Sequence, residues 1–483
     1  MASTVPLTAS VQAELAQRLA EFARGLNYED LPRTTVAHIK LLLLDQLAVT
    51  ISGSSAEGIE RLVKTVASWG GATQATVAMQ GCKLPIQGAA LVNAAMARAR
   101  DFDAVHEGAI LHVTAGCIPA LLAAAERDGQ TTGRQFIAAS AVAMETMIRL
   151  LQSVKTNFLD TGRIASVHCT NFATALGVSK LLGLPKDAMV SALGIAGSQV
   201  SGSMQPMVEG SELVRIQQGL VAHSGVMAAL LAEGGTQGPL GVFDGAYGYF
   251  RSYHNGQYDR ARIEADLGQR FELEEISTKF YPCCFLNHSA IEAVIALRRD
   301  HQLAASDVAG IVVRTTTGTY NTTCAPRDKK QKPQTSREAL FSMPFALGLA
   351  MQHGEVRAKH FTDNTPLDGA ALELATRVET QIDGQLDKEF PVGVPPSSIS
   401  ITLRNGHVLS KRIDFVKGNP RNPMSMDEMR QKISDCNALA AKPLPDHKLK
   451  SIIGLVDDLE NLADVSVLGR CLASELSTPR EST

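Results

Sequence analysis

Asp101, Asp103, His106 and His112 fall within twelve residues, after a helical stretch ending near Arg100 and before another beginning near Gly116. Two carboxylates and two imidazoles at helix ends can do acid–base work. Imidazole titrates near neutral pH and can give or take a proton, while a carboxylate orients it. The same segment also fits a surface turn with caps and salt bridges. Asp103, His106 and His112 are of metal-ligand type, but nothing in their spacing fixes a coordination geometry, so no metal is expected. Three further places carry polar chemistry. Arg163 to His168 enters the helix that ends Lys180-Leu181-Leu182-Gly183-Leu184; donors at a helix start favour anions, and caps look the same. Arg215 enters the next long helix, where it is either solvated or able to grip a carboxylate with two parallel bonds. Lys279 to His288 holds the adjacent Cys283 and Cys284, which read more readily as small buried apolar residues than as nucleophiles.

Composition narrows the function classes. The formal charge is −3 over 483 residues, which lacks the basic footprint of a nucleic-acid binder. The cationic run Arg327 to Lys332 reads as a solvated loop. No charged stretch followed by an apolar one opens the sequence, so no signal peptide is expected. No unbroken run of about 18 apolar residues occurs, so no membrane span is expected either. Eight cysteines without a C-x-x-C pair read as reduced thiols of a cytoplasmic protein. Gly234 to Gly241 is glycine-rich but follows a helix, which excludes a dinucleotide fingerprint. Walker A, H-E-x-x-H and G-x-S-x-G sequences are absent. The chemistry must come from scattered polar residues.

These residues need elements to position them. Val11, Leu15, Leu19, Phe22 and Leu26 share one helical face, with Ser10 as cap. Segments 34–50, 86–100, 117–127, 135–151, 170–183, 187–197 and 215–233 repeat that pattern and are rich in Ala and Gly, so closely approaching helices are expected. After about residue 270 the pattern turns mixed. Ile311 to Thr317 and Ser398 to Leu403 read as strands, and Asn405-Gly406 as a hairpin turn with both positions at positive φ. Helices are expected at 287–300, 336–352 and 367–382, then at 426–441 and 447–464. The fold class is mainly α: a large discontinuous helical domain, 1–270 and 413–483, with a smaller inserted α+β lid domain, 271–412. A cleft between them would be the natural binding place. The tail from Ser477 reads as loose.

The sequence resembles the MmgE/PrpD family from about residue 11 to 465. The marks are Leu44-Asp45-Gln46-Leu47, Asp101-Phe102-Asp103 with His112, the Lys180–Leu184 run, Ala192-Leu193-Gly194-Ile195-Ala196, Lys279-Phe280-Tyr281-Pro282-Cys283 with His288, Arg337 to Ser342, and Pro420-x-Asn422-Pro423-Met424. The resemblance implies a homodimer that needs no metal or organic cofactor. It implies a lyase, a dehydratase or decarboxylase, acting on a small di- or tricarboxylate of the 2-methylcitrate or cis-aconitate kind. A dicarboxylate epimerase and a catalytically altered binding homologue are the alternatives. It casts His112, Asp103, Lys279 and His168 as catalytic, and Asp101, His106, Arg215, Cys284 and Tyr320 as substrate-binding. Three positions depart from the family pattern. Ile164 stands where a catalytic His is common, with His168 one turn on. Val214 stands where a Lys is common, beside Arg215. Cys284 stands where some decarboxylases carry His.

Overall fold

The computed structural model describes residues 14–473 apart from 157, 159, 160, 364, 365 and 392. Ser10, Val11 and the tail from Ser477 lie outside the described residues. The fold is mainly α, as expected, and the chain divides into two compact units. One comprises 1–98, 111–274 and 440–483; the other comprises 99–110 and 275–439. The sequence reading drew its lines at 271 and 413 and left 99–110 with the helical body. Strand pairing groups that segment with the second unit, because Val105–His106 lies antiparallel to Ile276–Ser277.

The first unit is a pack of helices whose contacts depend on small residues. Leu213–Glu233 packs against Ile86–Arg98 and Ala165–Leu181. A Cβ on Gly219 would stand 2.2 Å from Leu91 O, and one on Gly225 1.6 Å from Thr174 Oγ1. Only hydrogen at those positions allows the backbones so near. Arg149 and Glu145 form a buried pair at 2.8 Å. Arg149 also donates to Ala265 O and Arg270 O, each at 2.7 Å, and Leu273 N donates to Glu145 Oε1. Burial raises the Glu145 carboxyl pKa against the lowering effect of Arg149. Among the described residues one helix, Arg33–Gly53, is long and apolar enough to cross a membrane, yet 78% of its apolar window is buried inside the protein. Asp45 and Gln46 interrupt it, which is why counting unbroken apolar runs passes over it. A short hairpin, Ala75–Val77 with Cys82–Leu84, also lies in the stretch read as helices alone.

The second unit holds a four-stranded sheet in the order Val378–Ile382, Val308–Thr315, Ser397–Leu403, Val408–Ile413. The first two strands run parallel and the rest antiparallel. Ser397–Leu403 alternates as its sequence suggested, burying Ile399 and Ile401, each worth about 1.5–3 kcal/mol of apolar burial. Helices His288–Asp300 and Met343–His353 pack against the sheet. Four sequence expectations change here. The hairpin at Asn405-Gly406 forms, but only Gly406 has positive φ, 86°. Leu403 N donates to His407 O and Gly406 N to Leu403 O, so the loop has three residues and ends in a glycine bulge. The expected helix 367–382 stops at Ala375 and continues as strand Val378–Ile382, because the β-branched end pairs beside Val308–Thr315. The expected helix 336–352 breaks at Phe341, and Ser342 caps a second helix opened by Pro344. Arg327–Gln331 is a helical turn, not a loop.

Candidate functional site

In the second unit, the pairing of Val105–His106 with Ile276–Ser277 brings the Asp101–Asp103 turn beside Lys279. The Lys279 ammonium is fully enclosed, donates to Asp101 O at 2.6 Å and forms an ion pair with Asp101 Oδ2 at 3.0 Å. Asp101 is in the left-handed region, φ 50°, a conformation that Asp tolerates better than most residues but that still costs on the order of 1 kcal/mol. Asp103 and His106 are buried beside it in sequence. The register is reinforced nearby. Glu107 accepts from Ser277 Oγ and, at 2.7 Å, from Asn419 Nδ2; burial raises its pKa. Thr278 N donates to Gly418 O at 3.0 Å. Gly418 has φ 94°, and a Cβ there would lie 1.9 Å from Thr278 O.

Lys279 leads into Cys283, Cys284 and His288. His288 stacks on Phe285 with ring centres 4.5 Å apart. Burial, and then the Lys279 charge, lowers its pKa to about 3, so the ring is neutral. Burial, then the charge of Asp101, pushes the Cys284 thiol up to about 11. Neither cysteine is a thiolate at neutral pH, which argues against thiol chemistry. Tyr320 is half-buried and opens a short π-type turn to Cys324, a geometry that recurs at functional places. Lys330, from the run read as solvated, instead donates at 2.8 Å to Thr322 O and to Phe341 O, and burial lowers its pKa.

Sequence reasoning missed Lys432. Its ammonium donates to Lys279 O at 2.7 Å and Phe102 O at 3.0 Å, and sits 3.8 Å from the centre of the Phe102 ring. A signal was present: Lys432 falls among the buried Met429, Ile433 and Cys436 of one helix. Beside it a small hollow of about 60 Å³ is lined by Phe102, Phe280, Gln431 and the Arg357–Asp435 ion pair, 2.6 Å long.

The first unit carries His112, His168 and Arg215. His112 is half-buried, and its backbone N–H donates to Ser166 Oγ at 3.1 Å. Arg215 is buried at the start of Leu213–Glu233 and donates to Glu57 O at 3.2 Å. His168 lies in the first turn of Ala165–Leu181, one turn after Ile164. Its Nδ1 bonds Ser201 O at 3.0 Å; a carbonyl can only accept, so Nδ1 carries the proton. Its ring is enclosed by Phe158, Tyr249, Tyr253 and His254 at centre distances of 5.0–5.6 Å. Burial holds its pKa down to about 4 and that of His254 to about 3. His254 bonds Tyr249 OH at 3.0 Å and Thr156 Oγ1 at 2.7 Å. Both imidazoles are therefore neutral members of an aromatic cluster.

Asp101, Asp103, His106, Lys279, Cys284 and Tyr320 thus belong to the second unit, and His112, His168 and Arg215 to the first. Lys279 and Asp101 are brought into direct contact. Arg215 and His168 are engaged by backbone carbonyls of their own unit.

Comparison with known proteins covers nearly the whole chain. Residues 17–261 match the MmgE/PrpD N-terminal domain and 281–458 the MmgE/PrpD C-terminal domain. A cis-aconitate decarboxylase of Aspergillus terreus is 26% identical, over 97% of this chain and 98% of its own. A cis-aconitate decarboxylase-like protein, oryM, of Aspergillus oryzae is 28% identical over the same shares. The cis-aconitate decarboxylase of Mus musculus is 25% identical over 95% of this chain and 93% of its own.

Proposed function

Because the chain belongs to the MmgE/PrpD family, we propose that it is a lyase that removes carboxylate or water from a small di- or tricarboxylate, with a cis-aconitate-like acid as the leading substrate. The observation that carries this reading is the near end-to-end match to cis-aconitate decarboxylases. The fully enclosed Lys279, paired with Asp101 in a strained turn, supports it, since enclosed charge is costly and is retained where charge must be met.

In this reading Lys279, its ammonium held by Asp101, binds a substrate carboxylate; His106, Cys284, Tyr320 and Arg215 are the further binding candidates. In decarboxylation the bond to the leaving carboxylate breaks and CO₂ departs. Its electron pair enters the neighbouring unsaturated acid, where fixed donors stabilise the enolate-like charge. His112 then delivers one proton to carbon. In dehydration the same groups take the proton next to a carboxylate and return one to the leaving hydroxyl. His168, neutral above about pH 4, would enter as a proton acceptor through Nε2, since its Nδ1 proton is held by Ser201 O. Turnover would need neither metal nor organic cofactor, and the working particle would be a pair of copies.

A second reading, a scaffold that binds a polycarboxylate without converting it, is favoured by Ile164 and Val214 at positions where family members carry His and Lys. Incubation with citrate, 2-methylcitrate, cis-aconitate and aminodicarboxylates in deuterated water separates the readings by mass spectrometry. Loss of CO₂ or water supports the lyase. Deuterium uptake at unchanged composition indicates an epimerase. Thermal stabilisation by an acid without turnover indicates the binding scaffold. Chelator-treated protein should turn over at the untreated rate.

A further inference from the structure

Lys432 sits on the Met426–Ala438 helix with only 4% of its surface exposed. A methionine would fill the same space without the cost of enclosing an ammonium. The charge is therefore there for what it holds. Its two carbonyl partners come from segments far apart in sequence. Phe102 O lies between Asp101 and Asp103, and Lys279 O belongs to the residue whose own ammonium grips Asp101. The Phe102 ring lies against the same cation. One ammonium thus joins the backbone of the carboxylate turn to the backbone of the lysine strand, beside a residue at φ 50°.

We propose that Lys432 is a positioning residue that fixes the Asp101–Asp103 turn against Lys279, so that these side chains present one arrangement to the substrate. This rests on the reading that Asp101, Asp103 and Lys279 serve the reaction proposed above. The cation has a second effect. It favours the charged form of neighbouring carboxylates and opposes charging of His288.

The test compares Lys432→Met and Lys432→Arg with wild type, using whichever acid the wild type converts. Lys432→Met should lower kcat by roughly 30–100-fold, as misplacement of reacting groups does, with KM changed by less than about 3-fold. The acidic limb of its pH–rate profile should move to higher pH, since loss of a cation makes carboxylates easier to protonate. Lys432→Arg should restore the limb and most of kcat. A Met variant with wild-type kcat and limb overturns the proposal, as does an Arg variant no better than Met at wild-type Tm. Hydrogen exchange gives a readout independent of turnover. Amides 102–106 should exchange about tenfold faster in Lys432→Met, while Met343–His353 is unchanged; equal exchange in both regions overturns the clamp. If wild type converts no acid, the proposed function fails and exchange alone decides on Lys432. Should Lys432→Met not fold, Phe102→Leu takes its place, with roughly threefold faster exchange expected over 102–106; unchanged exchange overturns the proposal.

Discussion

The His168 cluster of the first unit and the Lys279 cluster of the second are both shut away from water, and they treat charge in opposite ways. Around His168, two imidazoles and a tyrosine are kept neutral by burial; Ser201 O, Thr156 and Cys169 meet His168 Nδ1, His254 Nδ1 and the Tyr249 hydroxyl. Around Lys279, ammonium groups remain enclosed and are met by three backbone carbonyls and one carboxylate. A neutral cluster loses little when one member changes, because its partners stay uncharged. A charged cluster loses much, because the remaining charge is stranded. Lys279 and Asp101, to which the proposed function gives a charged role, belong to the second kind.

Substitution can break or sharpen that contrast. Lys279→Ala should show the largest effect, a fall of at least ~100-fold in kcat/KM and a destabilisation of about 3–5 kcal/mol from breaking its buried pair with Asp101. Wild-type melting would show that the pair carries no such penalty. His112→Ala should match that kinetic loss with a far smaller change in melting, since His112 is only half-buried; wild-type turnover would remove it from the chemistry. The neutral cluster should instead reveal itself through pH. His168 has an ordinary pKa of 6.5 and a folded value of about 4, so unfolding takes up a proton in this range. Its stabilising share is whole above pH 6.5 and is lost as pH falls towards 4, at most about 3 kcal/mol. His168→Asn keeps a donor for Ser201 O and removes that titration, so its Tm should fall less than wild type between pH 7 and 4.5; equal falls would mean that His168 is not the group being charged. The smallest contrast is between glycines. Gly225→Ala should cost about 1–3 kcal/mol by forcing helices apart and leave KM near wild type. Gly418→Ala should cost a similar amount and also lower kcat, because the displaced Thr278 precedes Lys279. Equal kinetics in the two variants would uncouple Gly418 from the site.

The sequence reveals the helical first unit well, since the apolar period of Leu15, Leu19 and Phe22 depends only on near neighbours. It reveals Ser397–Ile413 as a hairpin for the same reason. It misses what partners decide. Val378–Ile382 reads as helix until Val308–Thr315 lies beside it, and Lys330 reads as solvated until Thr322 O and Phe341 O surround it. Of the candidate residues, Asp101 is named by its chemistry and Lys279 by the family resemblance, but their contact depends on the distant pairing of Val105–His106 with Ile276–Ser277. Lys432 carries a weak mark, a lysine on a buried helical face, which gains meaning only beside Phe102 and Lys279. His168 shows the opposite limit: its residue type suggests a proton carrier, and its surroundings hold it neutral.

The helix Arg33–Gly53 has a consequence for how the chain is made. It packs against Ile86–Arg98, Thr114–Asp128 and Gly133–Ser153, and also against Asp446–Asp457. Synthesis proceeds at about 5–20 residues per second, so on the order of tens of seconds separate this greasy segment from its last cover. Throughout that interval the nascent chain carries a stretch that a membrane-insertion machine could mistake for its own cargo. Asp45 and Gln46 at its centre raise the cost of that error, since an aspartate in mid-bilayer costs about 2.5–3.5 kcal/mol on insertion scales; the polar residues that break the apolar run thereby help keep the segment available for its proper neighbours.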